Sequence, residues 1–370
     1  ILDKLDSHIY CHLIKNRRLT MRQDKMTMTD YDIQNRLSQI EHFLLEFKEM
    51  VNWDKVKKYL EPLDPQRTKV AGRDSYDPVK MFRVMLLQGW YDLSDPEMEF
   101  YLRTNLLFMN FCDFSITEST PDHSTISRWR DRLTKSGLYK TVFEGIMGEF
   151  HEMGLEVKKG KMVDATLITS QARPRKKVYI ETEPTGDEAQ SEESTPTFEA
   201  TDVTVEESVD QDAHWMKKGN QSTYGYKGHV LTDSNGIVEN IIVTPANVHD
   251  TVMFPDLIFN TALEEGDIIH ADKGYHSEAN KELLRNNNLV DKIMHKRKRN
   301  EAEDDANKQR NKAISQHRYV IERTFGSLKR SYGWSRSRYL GLEKTTCYLY
   351  MRCLAYNIKR AMKILSLSPA

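Results

Sequence analysis

Two hydrophobic periods divide this chain. From residue 30 to about 153, apolar side chains recur every three to four positions, the spacing of amphipathic helices. Ile40, Phe43, Leu44, Phe47, Val51 and Trp53 mark a first helical stretch over 30–60, punctuated by Pro62 and Pro65. A second helix is expected from Pro78, with Asp77 as its N-cap and Val79, Phe82, Val84, Leu86 and Leu87 along it, stopping near Gly89. A third starts at Asp95-Pro96 and carries Met98, Phe100, Leu102 and Leu106. A fourth covers 123–133 and a fifth 140–153.

Beyond residue 160 the period shortens. Residues 160–168, 224–231 and 236–243 read as strands, the last two joined by a turn at Asp233-Ser234-Asn235-Gly236. Next come a helix after His249-Asp250, a strand closing at Asp272, a helix through Leu283-Leu284, a strand over 290–294 and a helix over 311–330. Three strands in a meander, then helix, strand, helix, strand, helix, is the ribonuclease-H-like order. The expected fold class is therefore α/β: a ribonuclease-H-like mixed-sheet domain over 156–335, preceded by an all-helical domain over 40–155. Residues 1–39 read as a partly disordered leader, since the first methionine is Met21. Residues 336–370 read as a C-terminal helix, with Cys347, Met351, Leu354, Ile358 and Leu365 on one stripe.

Charge alters the picture more than composition does. The formal net charge is −1, yet residues 181–212 hold twelve acidic residues and no Lys or Arg. The remaining chain carries 54 basic residues against 43 acidic ones, and a basic body suits a polyanionic partner. The acidic tract, rich in Thr, Ser, Pro and Glu and without periodicity, is expected to be a disordered insertion over 178–213. It reads either as a DNA mimic that restrains the basic surface or as a solvated loop. The four cysteines are dispersed without a C-x-x-C pair, which points to a reducing compartment, the cytoplasm, and away from a zinc knuckle. No apolar run is long enough for a bilayer, no secretory leader is seen, and no glycine-rich phosphate loop calls for a nucleotide cofactor.

Three acids stand where a carboxylate is costly. Asp164 lies within an apolar strand, Asp272 closes another, and Glu322 borders the apolar face of a helix. Setting Arg318 at 0°, a helix of about 100° per residue puts Glu322 at about 40° and Lys329 at about 20°, beside the stripe of Ile314, Ile321, Phe325 and Leu328. Two strand aspartates and a helical glutamate make a cage for two divalent cations, as phosphodiester chemistry requires. Residues 122–133 resemble a DNA-recognition helix, with Ser124, Thr125, Ser127, Arg128 and Arg130 around Ile126 and Trp129. The alternative is an amphipathic helix with a solvated basic face. His249-Asp250 is an acid–base pair or, more simply, a helix start capped by Asp250. His295–Arg299 is a phosphate strip or a solvated loop, and Arg173–Lys177 a flexible basic arm. Trp215 beside Lys217-Lys218 either stacks on a base or packs inside.

Val163-Asp164-Ala165-Thr166, Ala271-Asp272-Lys273-Gly274-Tyr275 and the run from Arg318 to Lys329 resemble the DDE motifs of bacterial insertion-sequence transposases, in particular the IS-five family of the IS-four-like set. Gly225-Tyr226-Lys227-Gly228-His229 and Thr244-Pro245-Ala246-Asn247-Val248-His249-Asp250 are similar too, as is the helical part from Tyr76 to Leu133. The family's last motif has Tyr, Arg, Glu and Lys at fixed spacing. Arg318, Glu322 and Lys329 match it, and Ser315 stands at the tyrosine position. The resemblance implies Asp164, Asp272 and Glu322 as metal ligands for two Mg²⁺ ions, with Mn²⁺ able to substitute. It implies Arg318, Lys329, Lys273 and Lys227 near DNA phosphates. It further implies double-stranded DNA as partner (terminal inverted repeats and target), a homodimer on that DNA, and cleavage followed by strand transfer. The rival readings are a ribonuclease-H-like nuclease without strand transfer and an inactive DNA-binding descendant.

Overall fold

The computed structural model describes residues 27–64, 75–156, 160–172, 177–184, 198–206, 209–297 and 304–367. The chain forms two compact units, Ile1–Lys158 with Tyr350–Ala370, and Lys159–Leu349.

The first unit is helical: α1 (Met28–Leu37), α2 (Phe43–Met50), α3 (Trp53–Leu60), α4 (Pro78–Tyr91), α5 (Asp95–Thr104), α6 (Leu106–Phe111), α7 (His123–Ser136) and α8 (Leu138–Glu152). The stretch expected as one helix over 30–60 is three short ones, each restarted by its own cap: Thr27, His42 and Asn52. The breaks leave Ile40 exposed, and Phe100 on α5 is exposed as well. α1 lies inside the segment read as a leader; residues 1–26 fall outside the described residues. Asp77 caps α4 with Pro78 in its first turn, and the helix runs past Gly89 to Tyr91. Its core is aromatic, with Phe47, Trp53, Trp90 and Phe111 in mutual edge or stacked contact. The last helix, α12 (Leu342–Leu367), is not a separate segment, because its residues from Tyr350 onward belong to this unit. There Trp90 donates to the Ala355 carbonyl at 2.7 Å and Arg352 to that of Gly89 at 3.0 Å.

The second unit is a six-stranded mixed sheet: β1 (Lys161–Thr169), β4 (His214–Lys218), β5 (Gln221–Thr232), β6 (Val238–Pro245), β7 (Ile268–Ala271) and β8 (Val290–Ile293). β5 is long enough to carry β4 along its first residues and β6 along its last, both antiparallel, with β1 antiparallel on its other edge. β7 pairs parallel to β1, and β8 parallel to β7. The meander β1-β5-β6 followed by two parallel strands is the ribonuclease-H-like arrangement, so the observed fold class is the expected one. β1 and β5 approach closely at Thr169 opposite Gly225, which has φ 159°; a β-carbon on Gly225 would lie 2.1 Å from the Ile168 carbonyl oxygen.

Alternation along the strands sends side chains to two faces. Val163, Leu231, Ile269, Ala271 and Ile293 form one core with Phe254 and Leu257 of α9 (Asp250–Phe259) and Leu284 of α10 (Glu278–Asn286). On the other side lies α11 (Asp305–Ser331), whose Ile314, Ile321, Phe325 and Leu328 are buried as the periodicity requires. Gly228 leaves a flat spot there for the Trp334 ring.

The insertion differs from expectation. Within 178–213, taken as disordered, β2 (Lys177–Pro184) and β3 (Phe198–Glu206) form an antiparallel hairpin, with a register shift between Glu181 and Thr182. The β-branched and aromatic residues of Val178-Tyr179-Ile180 and Val203-Thr204-Val205 favour paired strands despite the surrounding acids. β4 follows this segment directly. Buried Asp210, just before it, accepts hydrogen bonds from the hydroxyls of Ser170 and Tyr226 and from the Gly341 amide, which ties the insertion's end to the sheet.

Candidate active site

β1 delivers Asp164 opposite Val230 of β5, on the face toward α11, and β7 ends one residue before Asp272. Both carboxylates converge on Arg318, in the middle of α11. Its guanidinium donates to Asp164 at 2.6 Å and lies 3.5 Å from Asp272. One guanidinium therefore spans two acids from different strands. Asp164 also accepts the Ala165 amide at 2.8 Å. Burial raises the Asp164 pKa above the usual carboxylate value; Arg318 and the amide bond oppose this, and Asp272 adds to it.

Glu322 sits one turn beyond Arg318, where an i, i+4 pair shares a helix face, and its side chain is exposed. Among the described residues no three His, Cys, Asp or Glu side chains gather closely enough to hold a metal ion. The structure thus brings Asp164 and Asp272 together around a cation and leaves Glu322 adjacent on the same helix. The two carboxylates offer the oxygen ligands that a divalent cation takes, and here they share one positive group. Two buried donors beside them, Tyr275 Oη and Arg318 Nε, have no hydrogen-bond partner among the described residues. The Tyr275 phenol is raised well above its ordinary value, by burial first and then by Asp164, Asp250 and Asp272. Tyr275 carries no role in the sequence motif; its position three residues after a strand-end aspartate is the signal that points to it.

The basic residues divide. Lys273 is exposed immediately after Asp272. Lys329, two turns on from Glu322, is exposed; partial desolvation first, and Lys218 second, lower its ammonium from the usual value. Lys227 is not available to DNA. It is 4% exposed and donates to the Val248 carbonyl at 2.7 Å and to Asp250 at 2.8 Å. Its strand is covered on that face by α9, so the ammonium must be paired inside. The same geometry corrects α9's start: the capping side chain is His249, which accepts from the Thr251 amide, while Asp250 is the first helical residue and partners Lys227.

In the helical unit, Asp122 caps α7, and the Thr125 amide leads the bonds that lower its carboxyl to about 2. Ser124 and Arg128 are exposed and bonded to each other at 2.9 Å, with Thr125 half-buried beside them. Arg130, expected on the same DNA-facing surface, is 6% exposed and instead binds Asp95 and Gln88 of neighbouring helices. A helical turn of 3.6 residues puts positions 126, 129, 130 and 133 on one buried side, which carries Arg130 inward with Trp129. Of the two weaker basic segments, residues 173–176 and 298–299 lie outside the described residues.

A mixed sheet of this order, with Asp164 and Asp272 meeting the guanidinium of a helix laid along it, is the ribonuclease-H-like arrangement expected of DDE nucleotidyl-transferring enzymes. Comparison with known proteins agrees. Residues 192–358 match the transposase DDE domain family and residues 31–132 match a transposase domain, DUF772. The transposase for insertion sequence element IS1106 of Neisseria meningitidis serogroup B is 34% identical over 243 residues, covering 65% of this chain and 78% of that one. The chain belongs to the DDE transposases of insertion sequences, a family of DNA-cleaving, DNA-transposing enzymes that use divalent metal. A solved structure, the piggyBac transposase synaptic complex with hairpin DNA, aligns over 89% of this chain and 76% of that one at 10% identity and a TM-score of 0.45. No described helix is long and apolar enough to cross a membrane.

Proposed function

We propose that this chain cleaves double-stranded DNA at the terminal inverted repeats of an IS-five-type element and joins the freed 3′ ends to target DNA. Asp164, Asp272 and Glu322 hold two Mg²⁺ ions in this reading, and Mn²⁺ can replace them. The observation that carries it is the convergence of Asp164 and Asp272 on one guanidinium of α11, with Glu322 one turn away. Bound divalent ions supply Lewis-acid stabilisation of charge at the scissile phosphate. The chain's own residues do the rest. Asp164 and Asp272, fixed at the β1 and β7 positions, orient the negative ligand set. The Arg318 guanidinium would present a planar pair of donors to a phosphate beside the acid pair. Lys273 and Lys329 neutralise flanking phosphates as point charges, and Ser124, Thr125 and Arg128 at the start of α7 contact the duplex. Holding two element ends requires at least a homodimer on DNA.

The test compares wild type with Glu322→Gln on a duplex built from the DNA that flanks the gene. Mg²⁺-dependent nicking with joined products, both lost in the variant, supports the proposal. Nicking without joining favours a nuclease, and binding without cleavage favours an inactive descendant.

A further inference from the structure

Tyr275 stands where the acid site meets the core beneath it, and its two ends have different surroundings. The ring is 1% exposed and belongs to the core of Phe254, Leu257 and Leu284, its centroid 5.7 Å from that of Phe254. The hydroxyl is buried as well, yet it has no hydrogen-bond partner among the described residues. A buried hydroxyl left in that state costs stability, and phenylalanine would fill the same space without the cost.

The backbone around it is fixed. A 3₁₀ turn, Lys273–Tyr275, follows Asp272. The Tyr275 amide donates to the Asp272 carbonyl at 3.0 Å, and Asn280 Nδ2 donates to the Tyr275 carbonyl at 2.8 Å. The ring is thereby tied to the aspartate three residues before it. Three carboxylates lie near enough to act on the phenol, those of Asp164, Asp250 and Asp272. Two are engaged elsewhere. Asp164 accepts from Arg318 at 2.6 Å and from the Ala165 amide at 2.8 Å, and Asp250 accepts from Lys227 at 2.8 Å. Asp272 does not cap its own turn, lies 3.5 Å from Arg318, and keeps 44% of its side chain exposed. It is the less constrained member of the acid pair, and an unused donor sits beside it. Carboxylates that ligate a metal are themselves oriented by hydrogen bonds from an outer layer of groups.

We infer that Tyr275 is a positioning residue: its hydroxyl donates to the Asp272 carboxylate when that group serves as a metal ligand, and so fixes its orientation. The inference rests on the metal-ligand reading proposed above and adds to it a donor that acts through Asp272 and touches neither the ion nor DNA. The cost of the unbonded hydroxyl in the free protein is offset by tighter metal binding.

The test titrates Mn²⁺ alone into the full chain without DNA, following the electron-paramagnetic-resonance signal of the free ion. Tyr275→Phe should weaken Mn²⁺ binding by about 10- to 100-fold, the range for removing an outer partner of a metal ligand, while its urea midpoint stays level or rises. In nicking assays the Mn²⁺ concentration for half-maximal rate should rise by the same factor, with the full rate regained at saturating metal. Asp272→Ala removes the acceptor, and adding Tyr275→Phe to it should cost no further Mn²⁺ affinity. Equal Mn²⁺ affinity in wild type and Tyr275→Phe overturns the positioning role and leaves the metal-ligand reading intact. Failure of Tyr275→Phe to fold overturns it as well, because a hydroxyl on which the free fold depends already has its acceptor. A rate that stays low at saturating Mn²⁺, or a further loss of affinity in the Asp272→Ala background, overturns action through Asp272. Wild type that binds no Mn²⁺ overturns the metal-ligand reading and this inference together.

Discussion

Arg318 is the residue on which the acid pair depends when no metal is bound, and replacing it with methionine isolates that dependence. Its side chain is 11% exposed, that of Asp164 20% and that of Asp272 44%. Removing one partner of a fully buried pair costs about 3–5 kcal/mol, whereas exposed pairs contribute about 0–1. The Asp164 pair lies nearer the buried limit and the Asp272 contact nearer the exposed one. Arg318→Met should therefore destabilise the protein by about 2–3 kcal/mol at pH 7 in EDTA. The pH dependence has a definite sign. Burial places the folded pKa of Asp164 above its unfolded value, and Arg318 is the largest influence pulling it back. A carboxylate raised in this way stabilises fully below its unfolded pKa and loses that contribution as pH rises through the folded pKa. Without Arg318 the folded pKa climbs further, so the penalty grows from pH 4 to pH 7. Urea denaturation at both values, with Asp164→Asn and the double variant, measures this. The double variant should be more stable than the sum of the single effects by at least about 1 kcal/mol. A penalty below about 0.5 kcal/mol, or one equal at both pH values, refutes the assignment of Arg318 as the counter-ion of Asp164.

Other expectations follow from the same geometry. Arg128→Ala should weaken duplex binding and lower its salt dependence with little change in stability, because its partners are exposed groups of its own helix. Arg130→Met should do the reverse, costing about 2–4 kcal/mol by leaving Asp95 unpaired, with duplex affinity per folded molecule unchanged. Glu239 pairs with buried Lys161 at 2.7 Å, and burial raises its pKa to about 7. Stability should therefore fall as pH rises from about 4.5 through 7, by on the order of 3 kcal/mol, and Glu239→Gln should flatten that slope. Gly225→Ala should prevent β1 and β5 from closing their register at Thr169, seen as loss of cooperative unfolding.

How much of this was legible in the sequence depended on period and length. β1, β5 and β6 showed because eight or more residues alternate or stay apolar, and the three acids fell at the strand and helix positions the element order required. β4 escaped notice because five residues with two adjacent lysines carry no period. The β2–β3 hairpin was hidden by charge: twelve acids outweighed the β-branched alternation at its two strands. Side-chain destination was the other gap. Lys227 and Arg130 have the composition of DNA contacts, yet their partners Asp250 and Asp95 lie 23 and 35 residues away, and only the fold reveals that those carboxylates are inside. The resemblance aims Arg318 at phosphate, and the wheel sets it beside Glu322, but a wheel fixes a face and not the acids arriving from other strands.

The central claim, that Asp164, Asp272 and Glu322 form one metal-dependent centre for cutting and joining DNA, is tested most directly by cleavage and strand transfer on a duplex made from the gene's flanking DNA. Wild type should give nicked and joined products with Mg²⁺ or Mn²⁺ and none in EDTA. Asp164→Asn, Asp272→Asn and Glu322→Gln should each abolish both products while retaining duplex binding. Full activity in any one of these three variants, or products formed by wild type in EDTA, would contradict the account.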